Sequence, residues 1–309
     1  MAWSGADLGS GIVMHRRTFL AVSAALIAAR PTLAATAPQR IVAIGGAMTE
    51  IVFALGEGAH VVAVDTTSLY PWRAVAPLPK VGYLRQLSVE GILSTRPDLI
   101  LADVDAGPKD VLDQLHSMGA PVAHFSGDHT AASVVPKIRF VGAAIGHKPE
   151  AESMIESYTA DLQAVETAVA GLAQKPQVLF LIAVGNTGLR GAGDGTAAGE
   201  MILRAGSANS FAGVNGYKPV SPEAALAADP DYLLMMKQTV DEIGGIDAVT
   251  MLPALAKLTA AKEKRIVALD GNYMLNFGPR TAHAIRDLAA ALHPDAKLPA
   301  LPDRPWTTS

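Results

Sequence analysis

Short apolar runs alternate along the chain with amphipathic segments, as strands alternate with helices in α/β proteins. Four of these runs are apolar at every position, so neither face of the predicted strand would meet water. They are Ile41–Ile44, Val61–Val64, 178–182 and Ile266–Leu269. Strands of this kind are typical of a parallel sheet that helices cover on both faces. The pattern therefore predicts an α/β fold.

One segment of the chain occurs twice. Residues 88–100 read SVEGILSTRPDLI and residues 221–233 read SPEAALAADPDYL, with Ser, Glu, Leu, Pro and Asp at the same spacing. In each copy a serine N-cap with an acid in the first turn begins a predicted helix, and a proline ends it before a strand. A fainter pair joins residues 50–56, EIVFALG, to residues 200–206, EMILRAG. Two repeats in the same order predict two related, doubly wound-like lobes.

A long amphipathic stretch separates the two lobes. Its apolar residues recur at steps of three and four between Lys148-Pro149 and Lys175-Pro176, which is helical spacing. A helix over residues 150–173 would be about 35 Å long, enough to cross from one lobe to the other. We therefore predict an N-terminal lobe over 38–147, a single linker helix over 148–174 and a C-terminal lobe over 175–309.

The N-terminus resembles an export signal. Arg16 and Arg17 precede a short apolar stretch and then small residues near Ala34, which is the layout of a cleaved twin-arginine signal peptide over residues 1–35. The apolar stretch is short for a bilayer; a membrane anchor or an ordinary helix is the alternative. Met14 is a possible true start. Export by the twin-arginine route predicts a protein of the periplasm.

Composition narrows the function further. The chain has no cysteine, which excludes disulfides, thiolate metal sites and lipid attachment through cysteine. Its formal net charge is −4, and it becomes more negative once the arginines of the signal are removed. A chain of this charge is not expected to bind nucleic acid.

Tyr70 is the residue with the most distinctive candidate chemistry. It lies in the loop DTTSLYPWR, residues 65–73, directly after the apolar strand that ends at Val64. Ligands in open α/β sheets bind at the carboxyl ends of strands, and residues 270–280 follow another strand end in the second lobe. A phenolate can bind ferric iron. An ordinary phenol has a pKa of about 10, which both the iron and a nearby arginine would lower.

Other patterns in the chain are weaker indications of function. His124 and His129 lie close together without a third ligand at a recognisable spacing, so a zinc or manganese site is a minor alternative. The glycines around 45–46 and 185–199 do not form a dinucleotide-binding fingerprint or a Walker motif. A nucleotide-dependent enzyme is the alternative from a different functional class.

Several segments together resemble the periplasmic haem-binding branch of the substrate-binding proteins that serve iron-chelate, cobalamin and haem importers. The resemblance covers roughly residues 39–294 and rests on residues 42–56, Tyr70-Pro71, 81–85, 88–100, 195–198, 216–219 and 277–281. It implies the class III architecture of two lobes and one connecting helix. It also implies a non-enzymatic carrier of haem b, with an inner-membrane ABC permease dimer and its ATPase as partners and an outer-membrane haem receptor system further away. A ferric siderophore or cobalamin is the alternative ligand.

The resemblance also implies roles for individual residues. Tyr70 would be the axial iron ligand, with Tyr273 or His283 as the next candidates. Arg73 is the predicted supporting arginine, with Arg85 and Arg280 as alternatives. Some members hold a second haem through a histidine of the C-terminal lobe; residues 184–199 contain none, which favours one haem. The predicted walls of the haem cleft are Trp72, Tyr83, Met236, Tyr273, Met274 and Phe277.

Glu50 and Glu200 occupy equivalent positions in the fainter repeat. In the family, one acid on each lobe meets basic residues of the permease, so we predict permease docking for this pair. The simpler interpretation is that both acids only stabilise the start of a helix.

Overall fold

The computed structural model describes residues 1–2, 37–183 and 188–308, and the chain from Pro38 onward forms one compact unit. Residues 3–35 of the predicted signal peptide lie outside the described residues. The strands are β1 Ile41–Ile44, β2 Val61–Val64, β3 Gly82–Tyr83, β4 Gln86–Leu87, β5 Leu99–Ala102, β6 Val122–His124, β7 Gln177–Ala183, β8 Leu189–Ala192, β9 Ala208–Asn209, β10 Tyr217–Pro219, β11 Tyr232–Met236 and β12 Ile266–Leu269. The helices are α1 Gly46–Ala54, α2 Trp72–Val75, α3 Val89–Ser94, α4 Lys109–Ser117, α5 Val134–Ile145, α6 Lys148–Ala170, α7 Ala197–Arg204, α8 Pro222–Ala228, α9 Lys237–Ile243, α10 Ile246–Thr250, α11 Thr259–Lys262, α12 Gly271–Leu275 and α13 Thr281–Leu292.

The N-terminal lobe is built on a parallel sheet with the strand order β2-β1-β5-β6. β1 is fully buried, as expected of a central strand covered on both faces. The loops that leave the carboxyl ends of these four strands therefore lie side by side along one edge of the sheet.

The C-terminal lobe repeats this arrangement and adds to it. β7 pairs in parallel with β9 on one side and with β11 on the other, and β11 pairs in parallel with β12. The order β9-β7-β11-β12 thus matches β2-β1-β5-β6. Two further strands extend this sheet. β8 pairs in antiparallel fashion with β7 on the side opposite β11, and β10 pairs in antiparallel fashion with β8.

The sequence repeat reappears in the local geometry. The side chains of Ser88 and Ser221 accept hydrogen bonds from the backbone N–H groups of Gly91 and Ala224, so each serine caps its helix. Just after the two helices, the residues Arg96 and Asp229, which match in the repeat, both have positive φ angles, 48° and 34°. These matches confirm the prediction of two related lobes.

Helix α6 runs between the lobes and packs against α5 and α13. Its buried side chains, Met154, Tyr158 and Val165 among them, belong to one continuous hydrophobic core that includes residues of both sheets. Such a spine resists relative movement of the lobes because each lobe's packing depends on it. The α/β architecture of two lobes joined by one long helix is confirmed. Within the described residues, no helix is both long enough and apolar enough to cross a bilayer.

Candidate ligand-binding site between the lobes

A hydrogen-bond network fixes the loop that carries Tyr70. The buried carboxylate of Asp65, at the end of β2, accepts bonds from the backbone N–H groups of Gly45 and Thr67, each at 2.8 Å, and from the hydroxyl of Ser68 at 2.5 Å. Ser68 in turn meets the hydroxyl of Thr49 on α1 at 2.8 Å. A carboxylate satisfied in this way holds the loop rigidly against the neighbouring strand end.

One partner of Tyr70 comes from the other lobe. The guanidinium carbon of Arg280, which precedes α13, lies 3.6 Å from the centroid of the Tyr70 ring. The Arg280 Nε and Nη2 atoms donate to the two carboxylate oxygens of Glu50 at 2.8 and 2.7 Å. Burial alone would lower the pKa of Arg280, but the hydrogen bonds and negative charge of Glu50 outweigh it and raise that pKa. Arg280 is therefore a fixed cation on the face of the phenol ring.

This placement favours a different arginine from the one predicted. Arg73 is exposed, and its guanidinium lies 5.1 Å from the ring centroid of its neighbour Trp72. Adjacency in the sequence had favoured Arg73, but α2 begins at Trp72. Arg280, one of the two alternatives, stacks on the Tyr70 ring, and support of Tyr70 by Arg73 stays a prediction.

Exposed apolar side chains surround the Tyr70 loop. Leu69 is 47% exposed, Trp72 55% and Tyr83 42%. The loop is joined to β3, which carries Tyr83, by a hydrogen bond from the Thr66 N–H to the Gly82 carbonyl at 2.9 Å. Large apolar groups are usually covered, and a cluster of them beside a polar anchor is typical of a ligand site.

A cluster of polar side chains lies near the carboxyl ends of β5 and β6. The Asp105 carboxylate accepts hydrogen bonds from Arg85 and from His129 Nε2, the latter at 3.1 Å, and the Arg85 Nη1 atom donates to the Tyr83 hydroxyl at 3.1 Å. The bond from His129 and the charges of His129 and Arg85 lower the pKa of Asp105 despite burial. Tyr217 of the C-terminal lobe also interacts with Arg85; burial raises the pKa of Tyr217. This cluster therefore includes side chains of both lobes.

Four other predicted residues lie in packing roles. Met274 and Phe277 are each 1% exposed within the hydrophobic core, so they do not form cleft walls. Met236 is partly buried and packs against Gly271. The hydroxyl of Tyr273 donates to Asp287 at 2.9 Å, and burial together with that negative charge raises the pKa of Tyr273.

The histidines also have defined surroundings. His283 on α13 is bonded through Nε2 to the Pro302 carbonyl of the C-terminal segment at 3.1 Å. Among the described residues, no group of three or more histidine and acidic side chains could hold a metal ion.

Glu50 does not lie on the surface, contrary to the expectation for a docking residue. It is 4% exposed, and its carboxylate is engaged by Arg280. Glu200 is partly exposed and bonds Arg204 at 2.7 Å. The repeat of residues 88–100 and 221–233 also places one acid on each lobe. These acids, Glu90 and Glu223, are both exposed in the first turns of α3 and α8.

Lys137 was missed by the sequence analysis. It is fully buried on α5, with its Nζ atom 3.3 Å from Asp103 and 3.4 Å from the carbonyl oxygen of Phe277 in the other lobe. Its signal was a lone lysine on the apolar helical face formed by Val134, Ile138 and Val141. A charge on such a face is expected to have a buried partner.

Two surface cavities lie away from Tyr70. One, of about 680 Å³, is lined by residues near the end of α6 and by Arg265 and His293. The other, of about 490 Å³, lies beneath Arg304–Trp306 and beside Gly56. Neither cavity is lined by a predicted ligand-binding residue. The site between the lobes is therefore identified from the chemistry of its side chains and not from the size of a cavity.

Comparisons with known proteins agree with this architecture. Residues 41–273 match the family model described as periplasmic binding protein. A structure of the periplasmic heme-binding protein RhuT from Roseiflexus sp. RS-1 is 39% identical, with a TM-score of 0.80, and covers 84% of this chain and 99% of its own. A periplasmic heme-binding protein from Pseudomonas aeruginosa is 34% identical, with a TM-score of 0.78, over 85% of this chain and 95% of its own. A vitamin B12-binding protein of Yersinia pestis is 27% identical over 269 residues, which are 86% of this chain and 90% of that protein.

Proposed function

The chain belongs to the periplasmic binding protein family, and we propose that it captures haem b between its lobes and delivers it to an ABC permease. Family membership confirms the predictions of a substrate-binding protein of an ABC importer and of a carrier rather than an enzyme. It also places the working protein outside the cytoplasm, beside a permease and its ATPase. The identity of the ligand is the proposed part.

The contact between Tyr70 and Arg280 carries the proposal. A tyrosine binds ferric iron as its phenolate, and a cation within van der Waals distance of the ring favours that anion. The guanidinium of Arg280 lies 3.6 Å from the Tyr70 ring centroid. The Asp65 network fixes the loop that carries the ring, which limits the cost of ordering that loop around a ligand. We assign Tyr70 as the axial ligand of one five-coordinate ferric haem.

The surroundings of Tyr70 suit the rest of a haem molecule. Its flat, apolar macrocycle needs apolar surfaces, which the exposed Leu69, Trp72 and Tyr83 offer on the N-terminal lobe. Its two propionates need cations, and Arg73 and Arg85 are the exposed arginines beside these surfaces. Guanidinium groups bind carboxylates by paired hydrogen bonds.

Relatives named for haem and a relative named for vitamin B12 both resemble this chain. Cobalamin already carries its own axial base and does not need a phenolate, whereas a ferric siderophore supplies all the oxygen ligands of its iron. The Tyr70 anchor therefore favours haem over both alternatives. Absorption spectra taken with hemin, cyanocobalamin and a ferric siderophore separate the three.

Two further parts of the function are proposals. Export by the twin-arginine route rests on Arg16 and Arg17, which lie outside the described residues. Docking on the permease needs exposed charge on each lobe, and Glu90 and Glu223 meet that requirement through the repeat. Glu50 does not, because it is buried. An outer-membrane haem receptor system remains the expected source of the ligand.

The test compares two identical substitutions. Tyr70→Phe removes the proposed ligand oxygen and keeps the ring, so hemin affinity should fall at least tenfold, or about 1.4 kcal/mol. The tyrosinate-to-iron charge-transfer band should disappear as well. Tyr232→Phe is the matched control, because Arg265 lies 5.9 Å from its ring centroid and the residue lines a cavity away from Tyr70, and its hemin spectrum should equal that of the wild type. Wild-type affinity and spectrum in Tyr70→Phe would refute the ligand assignment.

A further inference from the structure

Glu50 is a buried carboxylate whose hydrogen bonds connect the two lobes. It lies on α1 of the N-terminal lobe and accepts two hydrogen bonds from Arg280 of the C-terminal lobe. The Nδ2 atom of Asn276 lies 3.5 Å from the same carboxylate. A buried ion pair of this kind contributes little net stability when compared with apolar packing, but it fixes the geometry of both partners.

The segment that carries Arg280 is held at two more places. Asn272 Nδ2 donates to the carbonyl of Thr67, in the loop of Tyr70, at 2.6 Å. Lys137 reaches the carbonyl of Phe277 at 3.4 Å. Phe277 has a φ of 50°, which is an uncommon and costly conformation for a bulky side chain. A strained backbone persists only where its surroundings hold it, so these contacts fix the position of residues 272–280.

We propose that Glu50 is a positioning residue, which holds the guanidinium of Arg280 against the face of Tyr70 while Lys137 fixes the backbone of the same segment. This inference rests on the proposed function for its meaning in haem binding. It replaces the docking role with an internal one, since Glu50 acts on the ligand site through Arg280.

The charge of Glu50 and its positioning of Arg280 have opposite effects on haem. Through its charge alone, a carboxylate near an anionic ligand weakens the binding of a phenolate-coordinated haem, and its neutralisation would strengthen binding. Through its position, the Glu50 carboxylate keeps the Arg280 guanidinium on the Tyr70 ring, and loss of that carboxylate would weaken haem binding. The direction of the change on neutralisation therefore separates the two roles.

The experiment measures hemin dissociation from Glu50→Gln, Arg280→Gln and the double variant. Positioning predicts that Glu50→Gln releases hemin on the order of tenfold faster than the wild type, and that adding Glu50→Gln to Arg280→Gln changes the rate no further. The double variant replaces the ion pair with two neutral amides, so it keeps the test usable if Glu50→Gln alone, which leaves Arg280 unpaired, folds poorly. Slower release by Glu50→Gln, or additive effects in the double variant, overturns the proposal.

Glu166→Gln is the matched control. Glu166 also pairs with an arginine, Arg204, at 2.6 Å, but its side chain is 40% exposed and lies on α6. The same chemical change should leave hemin dissociation within about twofold of the wild type. An equal acceleration in this variant would mean that the rate reports general stability rather than the position of Arg280.

A measurement without hemin keeps this inference separate from the proposed function. Amide hydrogen exchange of the ligand-free protein should rise in Glu50→Gln at residues 272–281 and 65–70, and should not rise in the two sheets. A uniform rise, or none, counts against the positioning role. If the wild type shows no tyrosinate band with hemin, the proposed function fails, and the exchange data alone then decide whether Glu50 positions Arg280.

Discussion

Tyr70 and Arg280 meet although they are far apart in the sequence. A single sequence shows which side chains follow strand ends, and this placed both residues at the predicted site. It does not show which of three arginines reaches the phenol, because that depends on how the second lobe sits against the first. Arg73 was favoured by adjacency, yet its backbone belongs to a helical turn that directs it to Trp72.

Asp105 should make the stability of the protein sensitive to acid. The bond from His129 and the nearby positive charges lower its pKa in the folded state. A carboxylate of this kind contributes stability that is complete above its unfolded value, near pH 4, and that is lost as the pH falls through its folded value. The advantage in melting temperature of the wild type over Asp105→Asn should therefore shrink steadily between about pH 5 and pH 2.

Asp113→Asn provides the comparison for that measurement. Asp113 forms an exposed pair with Lys109 on the same helix, and such pairs contribute about 0.3–0.5 kcal/mol. Its melting temperature should follow that of the wild type closely at every pH. A constant difference between wild type and Asp105→Asn across the acid range would show that Asp105 gains no stabilisation from its ionised form.

At the scale of elements, the sequence was most informative where it repeated itself. The alternation of apolar runs and helices predicted the central strands of both sheets, and the serine and proline signals predicted the limits of α3 and α8. The predicted linker extended to residue 174, whereas α6 ends at Ala170, because Gly171 takes the C-cap position. β8 and β10 were missed, since neither is a continuous apolar run: β8 is LRGA and β10 is YKP.

The starts of α3 and α8 should form the contact with the permease. Reversing both charges, Glu90→Lys with Glu223→Lys, should abolish stimulation of the transporter ATPase in proteoliposomes and leave hemin affinity unchanged. The reason is that exposed charges at the edge of an interface control association and partner choice. Both glutamates lie on the surface, so their replacement should not disturb folding.

Two variants test the specificity of that effect. Glu156→Lys reverses an exposed charge on α6 and should stimulate the ATPase normally. Glu200→Lys tests the earlier assignment in the fainter repeat. If the Glu90 and Glu223 double variant stimulates the ATPase fully and Glu200→Lys does not, the permease contact lies at α7, which carries Glu200, and not at α3 and α8.

At the scale of the whole molecule, two features connect the lobes. One is the continuous core that runs from β1 through α6 to β7. The other is the set of contacts from residues 272–280 to Glu50, Thr67 and Lys137. The first was predictable from the helical spacing of residues 148–174. The second was not, because ion pairs between distant segments leave no local pattern, and only the misplaced lysine on α5 hinted at it.

A molecule joined in this way should change little in shape when it binds its ligand. Hinge closure requires a few residues that can absorb large backbone rotations, and here a 23-residue helix is packed into the shared core instead. Small-angle scattering curves of the protein with and without hemin should therefore nearly superimpose, with closely similar radii of gyration. The Glu50→Gln and Arg280→Gln double variant should behave in the same way, because the core of α6 remains when the ion pair is gone. A clear decrease in radius on loading the wild type would show that the lobes move about α6, and a larger radius in the double variant alone would show that the ion pair, rather than the helix, keeps them together.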